Sequence, residues 1–272
     1  MNCKLLYPGG KAKALTFSYD DGVIQDERLV RLFNEHGVKA TLNLNSGLDS
    51  DSWWEREGAR IRRLSPEEMR PLYKGHEIAV HTCTHPHLEE LDRRRLYAEL
   101  YRDREALTER FGCAVSGMAL PFGSTSPAVQ EAIAALGFLY CRNTVSHHTF
   151  ALPEDFLAWG ATCHHKDPAL MELAARFRET DEELALFYVW GHSFEFDMQK
   201  NWQVMEDFLA ETAGRPDTWY ATNGEVASYI TAARRLVIGE DFLINPTGAD
   251  LWVRAGGETL RVPAGQWVDL AD

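Results

Sequence analysis

Three histidines and a cysteine occupy positions 81–87 of the stretch HTCTHPHL. His81 and His85 are four residues apart, and His87 follows Pro86. Two imidazoles share one zinc ion only if their nitrogens nearly touch, because Zn–N bonds are about 2.0–2.1 Å long. Four residues of strand span roughly 13 Å, whereas positions i and i+4 of a helical turn lie about 5–6 Å apart. The His81–His85 segment is therefore expected to form a single turn, with Pro86 turning His85 away from helical geometry. A catalytic zinc needs a third protein ligand, and SYDDG (18–22) is the best supplier. One of Asp20 and Asp21 would bind the cation while the other stays free as a base. The plainer alternative is that one of them caps the helix that follows.

Positioning such groups requires strand ends, and the chain supplies them. KALTFSY (13–19) reads as a strand, followed by the helical IQDERLVRLFNEH and a stop at Gly37. VKATLNL (38–44) is the next strand. SPEEMRPLY opens with Ser65 and carries Glu68 three residues later, a capping box with Pro66 at the first helical position. HEIAV (76–80) is a short buried strand that ends just before His81. The alternation continues through LDRRRLYAELYRDREALTERF, VSGMAL, SPAVQEAIAAL, GFLYCRN, DPALMELAARF, LALFYVW, WQVMEDFLAET, TWYAT and GEVASYITAARR. Roughly seven strand-then-helix units favour a parallel sheet closed into an α/β barrel. After residue 235 short apolar runs separated by Gly, Pro and Asp read as hairpins. The expected organisation is a (β/α) barrel over 1–235 and a small β appendage over 236–272.

In their order and spacing, TFSYDDG, HTCTH, LPFG and VWGH resemble the motifs of the polysaccharide deacetylases, the carbohydrate esterase family 4 or NodB-homology group. The resemblance covers about residues 12–235 and implies a deformed (β/α) barrel. Position by position, it implies that Asp20 is the catalytic base and that Asp21, His81 and His85 hold the metal. Phe122 would offer its backbone N–H to the oxyanion, and His192 would be the general acid. The implied cofactor is a divalent metal, Zn2+ first, with Co2+, Ni2+ or Mn2+ as alternatives. Two departures stand out. The family's third motif begins with an arginine that braces the base, and Ala119 stands there instead; Arg142 is the candidate replacement. The fourth motif, an acid and a tryptophan, is echoed only by PEDFLAW, which nominates Asp155 and Trp159. Glu195 is expected to orient His192 or to touch substrate. Arg142, Trp190 and Asn45 are further candidates for the substrate side, and Asn43 is placed near the metal. Cys83 and His87 are read as structural. His147, His148, His164 and His165 are read as loop residues, with a pocket rim or a second metal as the alternatives for TCHH (162–165).

Composition narrows the partners. The 272 residues carry a formal net charge of −13, which would repel a nucleic-acid backbone. Arg60–Arg63 and Arg93–Arg95 are basic runs flanked by acids, read as solvated helix faces. No apolar run is long enough to span a membrane, and the start of the chain lacks an apolar leader. Five scattered cysteines do not make a disulfide framework. The chain is thus expected in the cytoplasm, acting on a soluble acetylated sugar or oligosaccharide, with the oligomeric state left open. The expected activity is metal-dependent removal of N-acetyl groups. The rivals are hydrolysis of a non-sugar amide, such as a cyclic amide or ureide, and a silent barrel that only binds glycan.

Overall fold

The computed structural model describes residues 3–48 and 50–270. Nine parallel strands form one sheet: β1 Lys13–Asp20, β2 Thr41–Leu44, β3 Glu77–Val80, β4 Gly117–Ala119, β5 Tyr140–Ser146, β6 Trp159–Ala161, β7 Cys163–His164, β8 Ala185–Gly191 and β9 Thr218–Tyr220. Their order is β7-β8-β1-β2-β3-β4-β5-β6, with β9 pairing against the first half of β1. The helices are α1 Asp26–Glu35, α2 Pro66–Leu72, α3 Arg93–Phe111, α4 Pro127–Ala135, α5 Leu170–Glu179, α6 Phe194–Gln199, α7 Gln203–Thr212 and α8 Asn223–Ala233.

The two ends of the strand order, β6 and β7, are separated in the chain only by Thr162. Its N–H donates to the Tyr188 carbonyl on one side, while its own carbonyl accepts from His148 N–H on the other. One stretch of chain therefore borders both ends of the sheet. This is the expected α/β architecture in deformed form, without a closed ring of strand pairs among the described residues.

β1 shows how the sequence positions the chemistry. All eight of its residues are buried, as parallel strands covered on both faces must be. Leu15, Phe17 and Tyr19 pack with Phe33, Leu42 and Phe208 in the core under the helices. The alternate positions Thr16, Ser18 and Asp20 face the other way and find polar partners: Thr16 donates to Asn223, and Asn43 donates to Ser18 and Asp20. A period of two thus separates the core face from a polar column that ends on Asp20.

The ends of the helices follow their local chemistry. The capping box of Ser65 and Glu68 opens α2 as its sequence predicts. Asp92 caps α3, which closes on Gly112 in the left-handed region. A difference appears at Arg60–Arg63, read from sequence as a helix face. Trp53–Arg56 and Ala59–Arg62 instead form an antiparallel hairpin, turned at Glu57 and Gly58, both with positive φ. Arg93–Arg95 does lie on helix, at the start of α3. At the far end of the chain, Leu251–Ala255 pairs with Glu258–Val262 and also with the N-terminal strand Cys3–Leu6. Val237–Ile238, Phe242–Ile244 and Trp267–Asp269 form a second small sheet. Leu243, Leu251, Val253 and Val262 from these strands pack on Tyr7, Tyr188 and Tyr229. No helix among the described residues is long and apolar enough to cross a membrane.

Candidate active site

The C-terminal ends of the parallel strands gather the candidate residues, where sheets of this class place their sites. Asp20 ends β1, His81 follows β3, Phe122 follows β4, Arg142 lies in β5 and His192 follows β8. Register brings them level: Asp20 pairs with Asn43, Tyr19 with Gly191, and Ala119 with Arg142.

Asp21, His81 and His85 each offer a ligand atom, and these atoms lie within 4.8 Å of one another. No helical turn joins the two histidines. Thr82 and His85 have φ of 67° and 57°, so the chain doubles back and sets the two Nε2 atoms 3.1 Å apart. Thr82 Oγ1 accepts the His85 N–H and holds this bend. Asp21 and Phe122 also have positive φ, a conformation costly outside glycine and concentrated at functional sites. His81 Nδ1 contacts the Ala119 carbonyl at 2.9 Å, which fixes the proton on Nδ1 and leaves Nε2 for a metal. Burial pushes His81 down to about 4 against the pull of Asp20, so the ring is neutral when a metal would bind. This donor set fits a divalent metal. Asp21 also receives the Arg63 guanidinium at 3.2 Å, a contact that sequence reading missed.

Asp20 is 2% exposed. Burial would raise its pKa, but Arg142, His81 and His192 outweigh it and hold the carboxyl at about 2. Arg142 Nη2 lies 2.7 and 2.5 Å from the two carboxylate oxygens, and its guanidinium sits 4.3 Å from the centre of the Trp190 ring. Ala119, at the position where the resemblance calls for arginine, gives its carbonyl to His81. The arginine comes instead from the residue paired with it on the next strand. Arg142 is fully buried and Trp190 nearly so; neither is placed to meet substrate without movement. Asn45 is likewise a support, because its amide donates to the His81 and Thr82 carbonyls.

His192 Nε2 is 3.8 Å from Asp20 Oδ2, and its Nδ1 is 3.4 Å from Glu195 Oε2. Burial works against protonation of His192, but Glu195, Asp20 and Asp21 together raise its pKa above the usual value. Glu195 is not a solvated loop residue. It is buried at the start of α6, and its carboxylate is met by His164, His165, Lys166 and His192. The two echoes of the fourth motif lie elsewhere. Asp155 is exposed and caps a short 3-10 turn, while Trp159 fills the core between Tyr140, Phe156 and Tyr188. Phe122 is 58% exposed and stacks on His87 at 4.2 Å. Cys83 faces Ser46 and is outside the ligand set. His147 and His148 lie on the exposed segment after β5, whereas His164 ends β7 and His165, in the turn that follows, is only 2% exposed.

Behind His192, Asp26 ties α1 to the loop after β8. It is fully buried and accepts from Tyr73 Oη and Ser193 Oγ at 2.6 and 2.5 Å. Burial raises it to about 7, more than these hydrogen bonds lower it. The folded state then holds a proton that the unfolded chain releases near pH 4, so this group's contribution to stability falls as pH rises from about 4 to 7. An Asp26→Asn protein is expected to lose that slope, up to about 1.4 kcal/mol per pH unit. Urea unfolding at pH 4.5 and 7.5 checks it; an equal slope in both proteins would show that Asp26 does not titrate there.

Residues 8–141 match the family model described as polysaccharide deacetylase. This match places residues 8–141, about half of the chain, in the polysaccharide deacetylase family. It spans Asp20, Asp21, His81, His85 and Phe122 and ends one residue before Arg142; His192 and Glu195 lie outside it. The match supports a deacetylase-type hydrolase. Among solved structures, a presumed polysaccharide deacetylase from Mycobacterium smegmatis is 19% identical, with 87% of this chain and 98% of that one covered at a TM-score of 0.62. PuuE allantoinase is 14% identical, with 82% and 91% covered at 0.60. The chitin deacetylase of Colletotrichum lindemuthianum is 20% identical, with 82% and 89% covered at 0.53. At these identities the likeness is one of fold. No curated protein sequence matches the chain.

Proposed function

We propose that this member of the deacetylase family is a metal-dependent hydrolase that removes N-acetyl groups from an amino sugar or oligosaccharide. The observation that carries the reading is Asp20, whose Oδ2 lies 3.8 Å from His81 Nε2 on the ligand side and 3.8 Å from His192 Nε2 on the other. A base is thus set between a metal-binding triad and an acid. Asp21, His81 and His85 would hold the metal, Zn2+ being a natural choice for two imidazoles and a carboxylate. When bound, it supplies Lewis acidity and an activated water.

The remaining steps belong to the chain. Asp20, ionised at working pH through Arg142, takes the proton of the attacking water. Phe122 N–H donates to the oxygen on which charge develops; removing such a donor typically costs about 10²–10³ in rate. His192 gives the Nε2 proton to the departing amine, which leaves poorly as an anion. Glu195 faces Nδ1 and favours the protonated ring.

A second reading, hydrolysis of a cyclic amide or ureide, draws on the fold shared with an allantoinase. The complete Asp21, His81 and His85 set favours the first. Purified protein with Zn2+ or Co2+ is incubated with N-acetylated sugars and oligosaccharides, and in parallel with cyclic ureides, with acetate and ring opening measured. Acetate release is the expected result. Ring opening without acetate moves the assignment to the second reading, and neither product leaves a glycan-binding barrel.

A further inference from the structure

β7 and the two residues after it bring three consecutive side chains, His164, His165 and Lys166, onto Glu195. His164 Nε2 is 3.2 Å and His165 Nε2 3.4 Å from Glu195 Oε2, and Lys166 Nζ is 2.6 Å from Oε1. The same Oε2 lies 3.4 Å from His192 Nδ1 and accepts the His192 backbone N–H at 3.3 Å. His164, His192 and Glu195 also satisfy the spacing of a metal triad, their ligand atoms lying within 4.8 Å of one another.

Tautomer chemistry separates the two meanings of this cluster. The Lys166 backbone N–H donates to His164 Nδ1 at 3.1 Å. Nδ1 is therefore the acceptor, and a neutral His164 carries its proton on Nε2, toward Glu195. A ring in that tautomer donates to a carboxylate and has no lone pair on Nε2 for a metal. In the Asp21 site the reverse holds, since His81 turns Nδ1 toward a carbonyl and leaves Nε2 open.

We propose that His164 is a positioning residue for His192, acting through Glu195. This inference rests on the reading of His192 as the acid. Lys166 takes one carboxylate oxygen and His164 the other, so the carboxylate stays ionised and fixed beneath His192 Nδ1. His165 is a neutral spacer, its ring stacked between Tyr19 and Phe196. Gly191 makes room for it, because a Cβ there would fall 2.0 Å from His165 Nδ1. The groups that face His192 are then Glu195 on the Nδ1 side, Asp20 on the Nε2 side, and His164 beside it at 6.3 Å between ring centres, and the charge of Asp21 also acts on it. Arg142 and Lys166 are each engaged by a carboxylate. Three carboxylates around one imidazole favour its charged form, and the clamp holds the nearest of them in place.

His164 is partly exposed, so its replacement leaves the core intact. In His164→Ala, kcat at alkaline pH is expected to fall about 10-fold, as when a supporting residue is removed. The alkaline limb of the kcat profile moves to lower pH because His192 loses its proton sooner, and KM stays within about twofold. His164→Gln places an amide N–H near Nε2 and is expected to restore most of the loss. Nitrogen-15 NMR of the imidazoles gives a readout free of turnover: His192 keeps its proton on Nδ1 in the wild type and loses that preference in His164→Ala. If acetate release itself fails, the NMR arm still decides the clamp. An unmoved alkaline limb with an unchanged His192 spectrum overturns the proposal. So does a second equivalent of Zn2+ that is bound by the wild type and His81→Ala but missing in His164→Ala, since the cluster is then a cation site.

Discussion

An Asp20→Asn protein is expected to release acetate roughly 10²–10⁴-fold more slowly than the wild type, the range typical of a lost general base. Asparagine keeps the shape of the side chain and the contact with Asn43, but it takes no proton from water. The metal is expected to remain, because Asp21, His81 and His85 are untouched. Metal content equal to that of the wild type, beside the lost turnover, separates loss of a base from loss of a ligand. The change also leaves the Arg142 cation buried without its counter-charge, and breaking a buried pair from one side costs about 3–5 kcal/mol. Thermal unfolding measured alongside shows whether the fold persists at the assay temperature. Turnover within a few-fold of wild type would remove Asp20 from the mechanism.

How much of this was legible in the sequence depends on whether the signal was local. Asp20 and Asp21 sit at the end of a strand whose alternation is plain in KALTFSYD, and His81 follows a strand bounded by Gly75. Those residues could be placed by reading along the chain. The bend that joins His81 to His85 could not, because nothing in a threonine's chemistry announces a positive φ; tertiary contacts impose it. Arg142 could be nominated once Ala119 broke the expected pattern, yet its role depends on the pairing of β4 with β5, which no local pattern encodes. Arg63 is not on a helix face but follows the hairpin and meets Asp21. A basic run between acids suits an exposed helix, and the Gly58 turn that makes a hairpin of WWER and ARIR was passed over. TCHH reads as a polar loop in sequence because a two-residue edge strand is too short to show a period. An echo of a motif nominates Asp155 and Trp159, but Asp155 caps a 3-10 turn at the surface and Trp159 is packed in the core.

The site that results has a consistent electrostatic design. Each of its three carboxylates faces one cation: Asp20 with Arg142, Asp21 with Arg63, and Glu195 with Lys166. In a chain of net charge −13, this pairing sets a positive charge against each acid of the site.

Arg142→Ala tests that design at its most buried point. Burial is the largest influence on Asp20 and acts to raise its pKa; Arg142 is the largest that opposes it. Without the guanidinium, His81, His192 and the Asn43 amide are left to offset burial, and the Asp20 carboxyl climbs from about 2 toward or above its usual value. The acid limb of the kcat/KM profile then moves to higher pH, because the base must be ionised to act. Stability responds with the same sign. A depressed carboxyl stabilises the folded state above the unfolded pKa, near 4, and the benefit is lost as pH falls toward 2. In Arg142→Ala that benefit is absent at neutral pH, and the uncompensated Asp20 adds to the loss, about 3–5 kcal/mol for a broken buried pair. Arg142→Lys keeps the charge but loses the planar guanidinium that packs against Trp190, so it is expected to restore the acid limb more fully than the stability. Measured pH profiles and unfolding curves for the three proteins decide the matter. An acid limb that does not move in Arg142→Ala would mean that Asp20 is held ionised by something other than the arginine beside it.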